Sequence, residues 1–198
     1  MPVLINEDID ELLKKTSRSF YPTLKYLPKK VRGQIGLLYL LARVADTIAD
    51  SKHGETKVLL EFINNYNNVA QGRNPDLPEF TELANIQDNP NEAELLQNVQ
   101  PIIAALQEYD EADRKRMLDC LETIVSGQIL DLERFGPAKE GGRISSLKDD
   151  NEMDDYTFRV AGCVGVFWTK MTLAHLIKMD GNKQDVFFEK GIRFGKAL

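Results

Sequence analysis

The chain has 198 residues, 42% hydrophobic and 28% charged, with a formal net charge of −6 and a pI near 5.1. That is enough chain for one domain with a sizeable core, and too acidic for nucleic acid to be the main partner, which calls for a basic patch. Its two cysteines, Cys120 and Cys163, form no CxxC and no Cys/His cluster, which argues against a zinc site and for a reducing, cytoplasmic setting.

Residues 1–8 lack the basic-then-apolar pattern of a signal peptide. Ile9, Leu12 and Leu13 mark a first short helix, with acids before it and Lys14 and Lys15 at its end. A second helix runs from about Ser19 to Leu27. Pro28 suits the first position of a third, reaching about Asp50. Its stretch 35–45 is the most apolar run, yet it is shorter than the roughly 20 residues of a membrane span and carries Arg43. After a loop at 51–55, Thr56 is the expected N-cap of a helix through Ala70, closed by Gly72. Residues 73–91, rich in Pro, Asn and Asp, read as a surface connection with room for a short helix. Asn91 is the expected cap of a helix to Tyr109, and Asp110 of one to Phe135. Residues 136–150, with Pro137, Gly141 and Gly142, read as the most mobile loop. A long helix over 152–179 follows, then one from about Lys183 to the end. No strand or repeat is visible, so the expected class is all-α.

The third helix carries the chemistry. At about 100° per residue, Arg32, Tyr39, Arg43, Asp46 and Asp50 fall within a wedge of roughly 60°. Leu37, Leu38, Leu40, Leu41, Val44 and Ile48 occupy most of the rest. A helix apolar on most sides is buried, so its polar stripe faces something other than bulk water. Carboxylates at i and i+4 have β-carbons about 5–6 Å apart and both reach a hard cation such as Mg²⁺, which takes carboxylates together with phosphate oxygens. Arg43 adds a fork for a diphosphate. The plainer alternative is an Arg43–Asp46 ion pair with Asp50 solvated at the helix end. On the long helix, Tyr156, Val160, Cys163, Phe167 and Ala174 share a face. This is either an apolar wall topped by a phenol or ordinary core packing. Gly162 and Gly165 fall away from that face and suit close helix contact. Cys163 has no base beside it in the sequence, and His53 and His175 read as structural.

Ser17-Arg18-Ser19-Phe20, then Tyr39-Leu-Leu-Ala-Arg43-Val-Ala-Asp46-Thr-Ile-Ala-Asp50, then Tyr156-Thr-Phe-Arg-Val160-Ala-Gly162-Cys163-Val164-Gly165 resemble, in order and spacing, the motifs of the squalene/phytoene synthase family. The Ser-Arg-Ser-Phe start and the Asp46-Thr47 pair are more similar to the squalene synthases. The resemblance implies an isoprenoid-synthase helical bundle around a central cavity, in which two prenyl diphosphates are joined head to head. Asp46 and Asp50 match the first of two Mg²⁺-binding aspartate motifs, and Arg43 a diphosphate-binding arginine. Tyr39 and Tyr156 match active-site tyrosines. Ser17, Arg18, Ser19 and Phe20 match a segment near the diphosphates, and Val160, Cys163, Val164 and Phe167 the prenyl-binding helix.

The expected reaction is farnesyl diphosphate to presqualene diphosphate and squalene, with phytoene or dehydrosqualene synthesis as the near alternative. NADPH is implied if squalene is the final product, but Gly33 and Gly36 form no nucleotide fingerprint. Peripheral contact with a membrane is expected for release of so apolar a product. A non-catalytic assembly factor on the same fold is a third reading, disfavoured because Arg43, Asp46 and Asp50 are all present. The family's second aspartate motif is expected just beyond Leu198, making residues 1–198 a single but incomplete prenyltransferase domain. Asp150 and Asp154 repeat the D-x-x-x-D spacing, but there the acids are better explained by a helix N-terminus.

Overall fold

A helix that is apolar around most of its circumference has to sit inside others, and this requirement organises the molecule. The computed structural model describes residues 2–51, 55–136 and 146–197. Helix α3 (Lys29–Ala49) buries fourteen of its 21 residues and lies against α1 (Glu7–Ser17), α2 (Phe20–Tyr26), α4 (Thr56–Ala70) and α8 (Glu111–Phe135). All described elements are helical. Leu37, Leu40, Leu41, Val44 and Ile48 are fully buried in one continuous core. Each such side chain contributes roughly 1.5–3 kcal/mol relative to exposure. Tyr66 of α4, also fully buried, donates its hydroxyl to the Leu41 carbonyl at 2.8 Å and so pins α3 along its axis.

The helix ends follow local chemistry. Asn6 caps α1 by accepting from the Asp8 and Ile9 amides, and Asp110 caps α8 by accepting from Asp113 N at 2.8 Å. Asp10 is buried, accepts from the Val3 and Leu4 amides at 2.7 and 2.9 Å, and takes the Tyr21 hydroxyl, fastening the N-terminal segment and α2 to α1. Gly72 closes α4 with φ +71°.

Three boundaries between Thr56 and Tyr109 differ from the expectation. Thr56 is the first helical residue of α4, and Glu55 stands at the cap without a side-chain bond. Asn89, not Asn91, caps α6 (Pro90–Gln97), because Pro90 at the first position leaves the Asn91 amide as the one to satisfy. The helix expected to continue to Tyr109 breaks at Asn98 into α7 (Val99–Ala104) and a 3₁₀ turn, since Pro101 has no N–H for the Gln97 carbonyl. The 73–91 connection holds the short helix it had room for, α5 (Thr81–Asn85). Most of the loop expected to be mobile, 137–145, and the 52–54 segment with His53 lie outside the described residues.

The largest correction concerns the long helix expected over 152–179. It begins earlier, at the Asp149 cap, as α9 (Asp150–Thr157), widens into a π turn at Phe158–Gly162, and resumes as α10 (Cys163–His175). A π turn takes one more residue than an α turn, so the faces before and after it are out of phase. The last helix, α11 (Gly181–Ala197), lies against α10 so closely that a β-carbon on Gly165 would stand 2.0 Å from the Gly191 carbonyl oxygen. Glycine is obligatory there. Gly33 and Gly36 are packing positions too, against the Tyr109 hydroxyl and against Val3 and Leu13.

Candidate active site

The polar stripe of α3 emerges at one end of the core. Arg43 donates from Nη2 to Glu92 Oε1 of α6 at 2.6 Å, while its Nη1 is 4.0 Å from Asp46 Oδ2. The ion pair considered as the plainer alternative thus exists only as a long contact, and Glu92 is the stronger partner. Asp46 accepts instead from Gln128 Nε2 of α8 at 2.5 Å. Burial pushes the Asp46 carboxyl up to about 6; Arg43 pulls it down, and Asp50 pushes it up again. Asp50 caps α3 and is exposed at its surface. Its carboxyl is also raised, chiefly by partial desolvation, with Arg43 opposing and Glu92 adding.

The turn between α1 and α2 brings the Ser17–Phe20 segment in. Arg18 has φ +46°, a backbone region that costs a non-glycine residue roughly 1–3 kcal/mol and tends to persist at functional sites. Phe20 packs on Tyr39 with ring centroids 5.0 Å apart. The Tyr39 phenol is raised first by burial, lowered by Arg43 and Arg18, and raised by Asp46, so these four groups share one electrostatic neighbourhood. Ser17 is buried, and its hydroxyl is spent on the Leu13 carbonyl. Ser19 is exposed and makes no side-chain cap to α2.

Tyr156 of α9 joins the same neighbourhood through Asp131 of α8. Burial raises its phenol, and the charges of Asp131 and Asp50 raise it further. Asp131 is itself raised, by burial first; the nearby Tyr156 hydroxyl and Arg134 lower it and Asp50 raises it, and its Oδ1 is buried without a partner. The rest of the predicted prenyl-binding helix divides between two faces. Val160 and Val164 line an apolar groove of 620 Å³ between α10 and α11, with Trp168, Phe187 and Phe194. Cys163 and Phe167 instead turn into the core toward α8, 4% and 2% exposed.

Asp150 opens α9, and Asp154, one turn further on and exposed, pairs with Lys196, so neither acid joins the cluster around Asp46. His175 has a partner the sequence did not suggest: Nε2 lies 2.9 Å from buried Asp113, which also accepts from Gln34 and Arg116. Burial works to raise Asp113, but these hydrogen bonds outweigh it and hold the carboxyl below its usual range.

Gln128, Asp131 and Glu92 were not singled out from the sequence. A signal for the first two was available: Gly127, Gln128 and Asp131 interrupt the mainly apolar stretch 124–132 of α8, and a β-carbon on Gly127 would stand 3.1 Å from Arg159 in the π turn. Glu92 carried no signal beyond an acid in a first turn.

Asp46, Asp50, Glu92 and Asp131 meet Arg18, Arg43 and Arg134, and Arg134 also pairs with Glu152. Acid exceeds base, and three of the carboxyls are raised. Such a donor set fits a hard divalent cation. Among the described residues, no three His, Cys, Asp or Glu side chains are arranged to hold a metal by themselves. Oxygens from an anionic ligand would complete the coordination.

Two ligand complexes of the squalene synthase TcSQS share this architecture. One superposes with a TM-score of 0.67 at 17% identity, over 93% of this chain and 48% of that one. The other gives 0.70 at 17% identity, over 96% and 51%. The molecule therefore has the all-α isoprenoid-synthase fold. Residues 13–198 match the squalene/phytoene synthase family pattern, and the chain belongs to that family. The bifunctional lycopene cyclase/phytoene synthase of Blakeslea trispora is 27% identical over 180 residues, 87% of this chain and 27% of that protein. The chain thus spans about half the length of the solved relatives and about a quarter of the curated one.

Proposed function

We propose that this chain binds a prenyl diphosphate with Mg²⁺ and serves the head-to-head condensation of two such molecules, with farnesyl diphosphate as substrate and presqualene diphosphate or squalene as product. The observation that carries the reading is the Arg43–Asp46–Asp50 stripe: ordered on a buried helix, with excess acid around it and Asp46 lifted to about 6. Asp46 and Asp50 would hold the cation, which would supply charge neutralisation for a departing diphosphate. Arg43 exchanges Glu92 for diphosphate oxygens, a change of partner that keeps its guanidinium paired. Tyr39, kept neutral by its raised phenol, supplies an O–H beside Arg43. Tyr156 adds a second phenol beside Asp131, and Phe20 and the Val160–Val164 groove give the hydrocarbon a place away from water. If squalene is the product, NADPH supplies the reducing equivalents.

Phytoene synthesis is the second reading, favoured by the likeness to the Blakeslea trispora protein. Titration calorimetry with Mg²⁺ and non-hydrolysable farnesyl or geranylgeranyl diphosphate analogues distinguishes them: tighter binding of the farnesyl analogue is expected, and the reverse order favours phytoene synthesis. Absence of Mg²⁺-dependent binding to either analogue would overturn both readings. With one aspartate pair on this wall, the 198-residue chain alone is expected to bind without full turnover.

A further inference from the structure

The chain's two cysteines, 43 positions apart, meet in the core: Cys120 Sγ of α8 is 4.0 Å from Cys163 Sγ at the start of α10. The thiols are ordered. Cys120 donates to the Cys163 sulfur, and Cys163 donates to the Arg159 carbonyl in the π turn at 3.1 Å. Both are buried at 4% exposure, but they line a pocket of 120 Å³ with Arg116, Phe158 and Lys170. That volume exceeds the roughly 30 Å³ of a water molecule and admits a small peroxide. Neither thiol contacts the Asp46 cluster, so the proposed function leaves the pair unused.

We propose that Cys120 and Cys163 form an oxidisable dithiol that a small hydroperoxide converts to a disulfide bridging α8 and α10. Cys163 is the attacking sulfur: the Cys120 thiol and local backbone amides hold it below the usual range against burial, whereas Cys120 is raised by its bond to Cys163 and by burial. The Cys163 thiolate attacks the peroxide, the O–O bond breaks, and the alkoxide leaves with the Cys163 proton as alcohol. Cys120 sulfur then attacks the sulfenic sulfur. The S–S bond forms, the S–O bond breaks, and hydroxide leaves with the Cys120 proton as water. The sulfurs close by about 2 Å, and the π turn beside Cys163 is the segment that yields.

The test is hydrogen peroxide treatment of the whole chain, read by intact mass and by peptide mapping without reduction. The expected result is loss of two hydrogens and a crosslinked Cys120–Cys163 peptide, formed several-fold faster in the folded chain than in guanidinium. Cys120→Ser should instead trap a sulfenic acid on Cys163, captured by dimedone. Methionine oxidation with both thiols intact, crosslinking between chains, or a disulfide that forms only after unfolding each overturns the proposal. The readout needs no prenyl substrate, so it stands or fails apart from the proposed activity.

Discussion

The charged end of α3 and the apolar groove between α10 and α11 are built on opposite plans. The first is fixed by a helix with fourteen buried residues and cross-braced from α6 and α8 by Glu92 and Gln128. The second is made by two helices in backbone contact through glycine, and α11 buries only Gly195 while leaving Phe194 68% exposed. On the proposed function a charged headgroup binds at α3, and it needs oriented partners, which the bracing supplies before anything binds. On the same proposal a hydrocarbon tail needs only area and exclusion of water, which an open groove would supply without fixed donors. The difference teaches where rigidity is spent in this molecule.

The sharpest way to break the comparison is at the braced end. Asp46→Asn with Asp50→Asn is expected to reduce Mg²⁺-dependent pyrophosphate binding at least about 100-fold, measured by calorimetry, because a charge-paired site loses both anions at once. Wild-type affinity in the double variant would remove the reason for the bracing. At the other end, Gly165→Val has to push Gly191 away, and denaturant titration should show a loss of about 1–3 kcal/mol with pyrophosphate binding intact. If binding fell equally, the two regions would be one unit.

A pH series sharpens the electrostatic half. Asp46 is ionised above about 6, so the thermal shift given by Mg²⁺ with pyrophosphate should be full at neutral pH and fade as pH falls through about 6. Without the cation the sign reverses. A carboxyl raised in the folded state stabilises while protonated, and that contribution is lost as pH rises from about 4, its unfolded value, through about 6. A thermal shift flat with pH would take Asp46 out of the cation site. The smallest effect is expected from Glu92→Gln, which releases Arg43 and removes one repelling carboxylate. Pyrophosphate should bind about two- to fivefold tighter at low salt, in line with a pair worth about 1 kcal/mol or less. Weaker binding would mean that Glu92 orients Arg43 rather than competing for it.

What could be read from the sequence was what is local. The stripe on α3, the Asp110 cap and the end of α8 near Phe135 each depend on residues within a few turns of one another, and all three stand in the structure. The break at Asn98 was also local, written in Pro101, and was passed over. The partners of the stripe were not legible: Gln128 and Asp131 meet α3 only because α8 crosses it, and Glu92 because α6 folds back over Arg43. The π turn left no periodic signature, since five residues are too few to show a change of phase. Val164 parts from Cys163 and Phe167 by ordinary α-helical spacing within α10, and what the turn shifts is the register of Tyr156 against that helix.

That same turn gives the chain slack beside Tyr156. A π turn spends one more residue than an α turn, so deleting one residue from 158–162 and letting the segment close into regular α-helix would take up the surplus and leave α9 facing α10 as it does now. The phenol would stay beside Asp131 although the chain had become shorter. Lineages in which the five-residue turn has shrunk to four should therefore keep their phenol on the same face, one position nearer in sequence to the start of α10.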